Sequence, residues 1–138
     1  MHVSLSNFRV YTKSTNLRQE PKFIVFLSQL LLLFKFCPYC KADNPLLEAR
    51  RTGTGVVITT NCSHHKCGRQ EDVWRSQPYM PDTMVNAGDF LLCFAILLSG
   101  GSASKVINLF KHMGLSSISL ATFFQHQRRG CKTVAYFI

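Results

Sequence analysis

The first apolar stretch of the chain follows a polar beginning. Residues 1–21 mix charged and polar side chains without periodicity and end at Pro21, which predicts a disordered leader. Residues 22–36 then read KFIVFLSQLLLLFKF, an apolar run with few polar interruptions. This run predicts an apolar helix buried against the rest of the protein. A membrane or interfacial segment is the alternative, although the run is shorter than the roughly 20 apolar residues of a membrane span.

Short strands and turns are predicted over residues 37–77. Residues 46–52 and 56–61 flank Gly53-Thr54-Gly55, and glycine tolerates the positive φ that tight turns need. This pattern is typical of a β-hairpin. A third short strand is predicted over residues 72–76.

Helical patterns begin after a proline-rich connector over residues 78–85, which predicts a module boundary. The helical module covers residues 86–129 and is followed by a tail, residues 130–138. Its first helix is apolar on every side, and the next two each have one apolar face. The three predicted helices run from Asn86 to Leu98, from Ser102 to Met113, and from Ser116 or Ser119 to Arg129. The predicted buried faces are Val106, Leu109, Phe110 and Met113 on the second helix, and Leu120, Phe123 and Phe124 on the third.

The net charge of the chain is +9, and it is distributed unevenly. Residues 1–36 and 86–138 each carry +4, whereas residues 37–85 carry +1. A basic excess favours polyanionic partners such as nucleic acid or an anionic membrane surface. The chain has only 7 acidic residues, which leaves little material for a carboxylate-based catalytic site. We therefore do not expect an enzyme.

Two cysteine pairs bracket the predicted hairpin. Cys37 and Cys40 form a C-x2-C motif, and Cys62 and Cys67 form a C-x4-C motif 21 residues later. Structural zinc takes four soft or borderline ligands in a tetrahedron, and two tight turns joined by a hairpin supply them without a large core. The spacing predicts a zinc-ribbon-like module in which these four cysteines bind Zn²⁺.

Two alternatives remain for these residues. In the first alternative, His64 or His65 takes the place of one cysteine as ligand, because both lie in the same turn as the second pair. The C-P-Y-C motif is also the dithiol of glutaredoxin-like oxidoreductases, in which it begins a long helix. Pro45 and the hairpin glycines leave no room for such a helix here, so a structural site is favoured. Cys93, within the apolar helix, is interpreted as a core residue.

The first residues of the chain indicate the cellular compartment in which we expect it. Charged residues are spread over residues 1–20, the apolar stretch begins late, and no small-residue cleavage site follows it. We therefore expect an intracellular chain with reduced thiols, located in the nucleus, with membrane association as the alternative.

The last two predicted helices fit a helix-turn-helix, whose second helix enters the major groove of DNA. An ordinary three-helix packing unit fits the same pattern. DNA is the expected partner, while a homo-oligomer and a membrane stay open as alternatives. The predicted nucleic-acid-binding residues are Ser119, Thr122, Gln125, His126, Arg128 and Arg129.

Several strings resemble a known family. They are FIVF (23–26), CPYC (37–40), WRSQPYMP (74–81), AGDFLL (87–92), GGSASKV (100–106) and FKHMGLSSISLATFFQHQR (110–128). Together they are similar to a segment of Kolobok-type DNA transposase-derived proteins. In that family the segment lies between a THAP-type zinc finger and an RNase-H-like catalytic domain. The resemblance implies that the four cysteines occupy the family's zinc positions and that the helices form its DNA-binding or multimerisation region.

The chain also departs from that family. No THAP signature precedes residue 22, and the sequence ends at Ile138 before any catalytic carboxylates. We therefore expect a truncated, non-catalytic product of a DNA transposase. The predicted fold class is α+β, with a zinc-ribbon-like β module preceded by an apolar helix and followed by a three-helix, helix-turn-helix-like module. The predicted function is zinc-stabilised DNA binding, and the alternative is a small membrane-associated or protein-interaction protein.

Overall fold

A computed structural model of the chain describes residues 16–68 and 71–130. Within these residues it contains a three-stranded antiparallel sheet and four α-helices, which confirms the α+β class. Most of the predicted leader, residues 1–15, and all but the first residue of the predicted tail lie outside the described residues.

Strand β1 (Leu46–Thr52) pairs with β2 (Gly55–Asn61), and β2 pairs with β3 (Glu71–Arg75). The strands therefore follow one another across the sheet in chain order. The predicted hairpin is confirmed, and the third strand lies one residue earlier than predicted. Because β2 is central, it contributes the most buried side chains of the sheet, with Ile58 fully buried.

The apolar run over residues 22–36 differs from its prediction. It contains only a five-residue helix, α1 (Leu27–Leu31), followed by a 3-10 turn, Leu32–Phe34, and neither has a buried residue. The prediction of a buried helix was therefore wrong. An apolar run of this kind favours burial, but burial requires neighbouring elements to cover it, and the described structure leaves most of its large side chains exposed. None of the helices in the described ranges has the length and apolar character that crossing a bilayer requires.

The three helices after the connector agree closely with their predicted bounds. They are α2 (Ala87–Ser99), α3 (Ala103–Met113) and α4 (Leu120–Gly130). The Ser102 hydroxyl caps α3 by accepting from the Lys105 amide, and Ser119 caps α4 by accepting from the Thr122 amide at 3.1 Å. Gly100 ends α2 and Gly114 ends α3, both in the left-handed conformation.

The helical core is smaller than the apolar patterns predicted. It consists of buried Cys93 and Ile96 from α2, Ile118 from the turn before α4, and Phe123 from α4. Four apolar residues predicted to be buried are exposed because no element of the described structure covers those sides of α3 and α4. They are Leu109, Met113, Leu120 and Phe124.

The sheet and the helices meet at the hairpin turn. The Asp89 carboxylate, in the first turn of α2, accepts hydrogen bonds from the Thr54 amide and hydroxyl, both at 2.7 Å. Asn86 donates to the Thr52 carbonyl at 2.9 Å, and the Ser116 hydroxyl donates to the Gly53 carbonyl at 2.5 Å. These contacts fix the distal end of the hairpin against the helices.

Candidate metal centre

The first cysteine pair lies in a tight turn before β1. The Cys37 amide donates to the Ala42 carbonyl at 2.9 Å, and the Lys41 amide donates to the Cys37 carbonyl at 3.0 Å. Lys41 has φ 62°, a left-handed value that reverses the chain after Cys40. The turn therefore brings the two thiols to the same side of the backbone.

The second pair follows β2 directly. Cys62 comes after the last residue of that strand, and the Cys67 amide donates to the His64 carbonyl at 3.0 Å. The sheet places this turn beside the first one, because β1 begins shortly after Cys40 and runs antiparallel to β2. Two turns that are distant in sequence thus meet at one end of the hairpin.

The four sulfur atoms lie close enough to share one ion. The Sγ atoms of Cys37, Cys40, Cys62 and Cys67 are all within 4.8 Å of one another. Those of Cys37 and Cys67 are 3.7 Å apart, and those of Cys40 and Cys62 are 3.5 Å apart. A tetrahedron with zinc–sulfur bonds of about 2.3 Å has edges of about 3.8 Å. These separations exceed a disulfide bond of about 2.05 Å, and all four cysteines are free thiols.

The thiols of the cluster differ in acidity. The Cys40 amide donates to the Cys37 sulfur and lowers the pKa of Cys37 to about 6, although burial opposes the shift. The His64 amide lowers the pKa of Cys62, but burial and the three neighbouring thiols outweigh it and raise that pKa to about 12. The Cys40 amide thus favours the thiolate of Cys37, whereas burial and the neighbouring thiols favour the protonated form of Cys62. A divalent cation favours the deprotonated form of all four.

Other candidate ligands lie outside the cluster. His64 and His65 are exposed, and their rings stack on each other at 5.0 Å. No histidine nitrogen belongs to the sulfur cluster found among the described residues. Cys93 is buried in α2, as predicted for a core residue, and burial raises its pKa to about 11. The four-cysteine set is therefore the one that the geometry brings together.

The local structure differs from that of a redox dithiol. After Cys40 the chain passes through the reversal at Lys41 and enters β1, and no helix begins at the motif. The described sheet is wholly antiparallel, whereas a glutaredoxin-like fold uses βαβ units. The described residues around the motif therefore lack the helix and the βαβ unit on which the redox alternative depends.

The predicted nucleic-acid-binding residues lie at and on α4. Four of them, Thr122, Gln125, Arg128 and Arg129, line one surface depression of about 460 Å³ together with Ala121. The hydroxyls of Ser119 and Thr122 form a hydrogen bond of 2.9 Å with each other at the start of the helix. Arg128 donates from Nε to the Phe124 carbonyl at 3.3 Å, which leaves its terminal nitrogens for a partner. His126 is half-buried on the same helix.

The sequence patterns did not predict an aromatic surface beside the sulfur cluster. Phe34 meets Trp74 edge to face at 5.5 Å, and the Tyr39 hydroxyl donates to the Asp72 carboxylate at 2.9 Å. Both contacts join the segment around the first cysteine pair to β3. The alternation of β3 shows that Asp72 and Trp74 share a face, but no local signal shows which residues would lie against them.

Comparisons with known proteins identified no relative. No family model matches the chain, and neither do curated proteins or solved structures. The similarity to Kolobok-type transposases accordingly stays a prediction carried by the strings that suggested it. The geometry of the cysteine cluster and the charge of α4 are the observations from which a function has to be inferred.

Proposed function

We propose that this chain is a non-catalytic, zinc-stabilised DNA-binding module derived from a DNA transposase and located in the nucleus. Cys37, Cys40, Cys62 and Cys67 bind one Zn²⁺ ion, and the basic end of α4 contacts DNA. The observation that carries the proposal is the set of four sulfur atoms within 4.8 Å of one another. Four thiolates at tetrahedral separations suit Zn²⁺, which closes a structural site without a water ligand.

Three further observations support the DNA-binding part. The chain has a net charge of +9, and Arg128 and Arg129 end α4 on an exposed surface. The depression lined by α4 combines these cations with polar Thr122 and Gln125. Arginine neutralises phosphates while amide and hydroxyl groups reach base edges. The six residues between α3 and α4 are more than the usual three or four of a helix-turn-helix, so we propose only that α4 is the DNA-contacting element.

Metal analysis of the purified chain tests the first part. We expect one zinc per chain, no bound zinc in Cys62→Ser, and unchanged zinc in the control Cys93→Ala, which alters a cysteine outside the cluster. Co²⁺ added to the metal-depleted wild-type chain should give the absorption of a tetrahedral thiolate site, which keeps the test valid if Cys62→Ser does not fold. A purified chain without zinc, or a Cys62→Ser variant that retains it, would contradict the proposal.

DNA binding at several salt concentrations tests the second part. Replacing Arg128 and Arg129 by Ala should weaken binding and reduce the slope of log affinity against log salt by about 2, since each phosphate contact contributes about 0.9. The matched control replaces Lys105 and Lys111, two exposed cations of α3, and removes the same charge. Equal losses in both double variants would show a non-specific charge effect and would reject α4 as the contact.

A second candidate function rests on another observation. Most of the large apolar side chains over residues 23–36 are exposed, and exposed apolar patches of this size mark interaction sites. A protein-interaction protein without a nucleic-acid role fits that surface. Unchanged DNA affinity in the Arg128 and Arg129 double variant would favour this candidate.

A further inference from the structure

A groove of about 660 Å³ lies beside the sulfur cluster, lined by residues of the segment 33–41 and of β3. Its lining includes three aromatic side chains, Phe34, Phe36 and Trp74, and two charged ones, Lys41 and Asp72. We call it the aromatic groove. Neither the proposed zinc ligands nor the proposed DNA contacts include any of these five side chains, so the groove is available for another ligand.

Two of the aromatic rings stand at a steep angle to each other. The centroids of Phe34 and Trp74 are 5.5 Å apart, and their planes meet at 68°. Phe36, which is 56% exposed, and Trp74, which is 36% exposed, present aromatic surface to solvent. Aromatic faces carry partial negative charge and attract cations, most strongly at tryptophan. These walls therefore favour either a cation or a planar aromatic ligand.

The carboxylate of the aromatic groove is not neutralised by a cation of the described residues. Asp72 accepts a hydrogen bond from the Tyr39 hydroxyl at 2.9 Å, and no ion pair joins it to a described lysine, arginine or histidine. The Lys41 ammonium, the cation of the groove itself, donates instead to the Pro38 carbonyl at 3.3 Å. A half-buried carboxylate next to aromatic faces attracts positive charge.

The proposed zinc site adds negative charge behind the groove. Cys37 also lines the groove, and four thiolates with one Zn²⁺ leave a formal charge of about −2. Lys41 offsets only part of this charge and of that on Asp72. The excess disfavours a nucleotide, whose phosphate is an anion, and favours a cation. This step rests on the zinc site of the proposed function and is independent of its DNA contact.

The lining also discriminates among cations. A lysine ammonium has three N–H donors and a guanidinium has five, and donors that leave water need acceptors. Among the side chains that line the groove, Asp72 is the one carboxylate or amide acceptor. A quaternary ammonium has no N–H donor, and aromatic faces bind it directly. We propose that the aromatic groove binds the trimethylammonium group of a trimethylated lysine side chain on a partner protein.

Choline lipids carry the same group but fit the groove less well. A choline headgroup has a phosphate next to its ammonium, and this anion would approach the negatively charged zinc site. A lysine side chain instead joins its ammonium to an apolar stem of four carbons. Leu33, which lines the groove and is 79% exposed, offers that stem an apolar surface. The groove of about 660 Å³ also has room for the stem and for neighbouring peptide atoms.

The fluorescence of Trp74 tests this proposal directly, because it is the only tryptophan of the chain. The probe is a short peptide with one trimethyllysine, added to the full chain after its zinc content has been measured. We expect the emission of Trp74 to change on binding. The affinity should exceed that for the same peptide with unmodified lysine by at least about tenfold, and Asp72→Asn should weaken it about tenfold.

Variants at two further positions separate a cation site from a merely apolar one. Phe36→Leu keeps an apolar side chain and removes the aromatic face, so it should weaken binding about tenfold, whereas Phe36→Tyr should retain it. Lys41→Gln should strengthen binding by about threefold, because it removes a like charge. The control Phe124→Leu, at an exposed aromatic residue of α4, should leave the affinity unchanged.

The contrary outcomes are equally specific. Equal affinity for the two peptides in a zinc-loaded chain would overturn the aromatic groove alone, whereas a chain purified without zinc would contradict the proposed function. Tighter binding of phosphocholine than of the trimethyllysine peptide would reject the peptide and identify a lipid headgroup. Tighter binding of a single-stranded oligonucleotide, weakened by Lys41→Gln, would reject the cation and identify an unpaired base.

Discussion

The two ends of the β1–β2 hairpin are stabilised in different ways. At the tip, side chains from the helical region hydrogen-bond the turn, with Asp89 accepting two hydrogen bonds from Thr54 and Asn86 donating to Thr52. The open end, where β1 begins and β2 ends, carries the cluster of four thiols. The chain therefore stabilises one end with its own polar groups, whereas the other end presents four thiols that are compatible with a metal ion.

The surroundings of the open end explain this difference. Cys37 and Cys62 are buried, but the neighbouring apolar side chains of Phe36, Tyr39 and Leu46 are substantially exposed. An apolar cluster too small to exclude water contributes little to folding. The metal ion of our proposal would compensate, because its binding free energy becomes folding free energy. The comparison predicts that metal controls the open end and has little influence on the tip.

Removing zinc should have the largest effect on the difference between the two ends of the hairpin. Chelation should destabilise the chain by several kcal/mol, since structural zinc binds peptides with apparent free energies of about 10–16 kcal/mol. Hydrogen exchange should show lost protection at the ends of β1 and β2 nearest the cysteines, while the Thr54 amide and α2 stay protected. An equal loss of protection at both ends of the hairpin would contradict the proposed difference between them. Unchanged protection throughout would reject a structural metal.

Zinc binding at the open end of the hairpin should depend on pH. Because the pKa of Cys62 is raised to about 12, its sulfur carries a proton at neutral pH that zinc must displace. Each displaced proton raises affinity about tenfold per pH unit, so affinity at pH 8 should exceed that at pH 6 by at least about 100-fold. The dependence should steepen below about pH 6, where Cys37 also gains a proton. Competition with a chromophoric chelator measures this, and a flat profile would contradict it.

At the tip, Gly53→Ala should cause a loss of about 2–4 kcal/mol in the free energy of unfolding. Gly53 has φ 58°, and an added Cβ would collide with the Asp89 carboxylate that holds the turn. Gly100→Ala is the control, because Gly100 has φ 65° and no heavy atom near an added Cβ, so only the backbone cost of about 1–2 kcal/mol remains. Urea unfolding measures both variants. Equal losses would show that the Asp89 contact contributes little.

Local sequence signals predicted much of this architecture. The hairpin follows from Gly53-Thr54-Gly55 and the start of α3 from Ser102, because turns and caps involve residues close together in the chain. The start of α4 was predicted at Ser116 or Ser119, and Ser119 is the cap. The meeting of the four cysteines could also be predicted, since an antiparallel hairpin returns the chain to its starting edge.

Contacts between distant elements were not predictable in the same way. Leu109 and Met113 have the spacing of a buried face, but whether that face is covered depends on where α2 and α4 lie. The prediction that residues 22–36 form a buried helix failed for the same reason. The hydrogen bond from Ser116 to Gly53 joins residues far apart in sequence, and nothing in either local pattern indicates it.

The smallest predicted effect separates two adjacent serines near the tip. Ser116 donates to the Gly53 carbonyl, whereas the buried Ser117 hydroxyl has no hydrogen-bond partner among the described residues. Ser116→Ala should therefore cost about 1 kcal/mol, while Ser117→Ala should be neutral or stabilising by up to about 1 kcal/mol, because a buried unpaired hydroxyl is itself unfavourable. Urea unfolding of both variants with equal m-values makes the difference measurable. A destabilised Ser117→Ala variant would mean that its hydroxyl has a partner and that the polar junction extends further into the helical region.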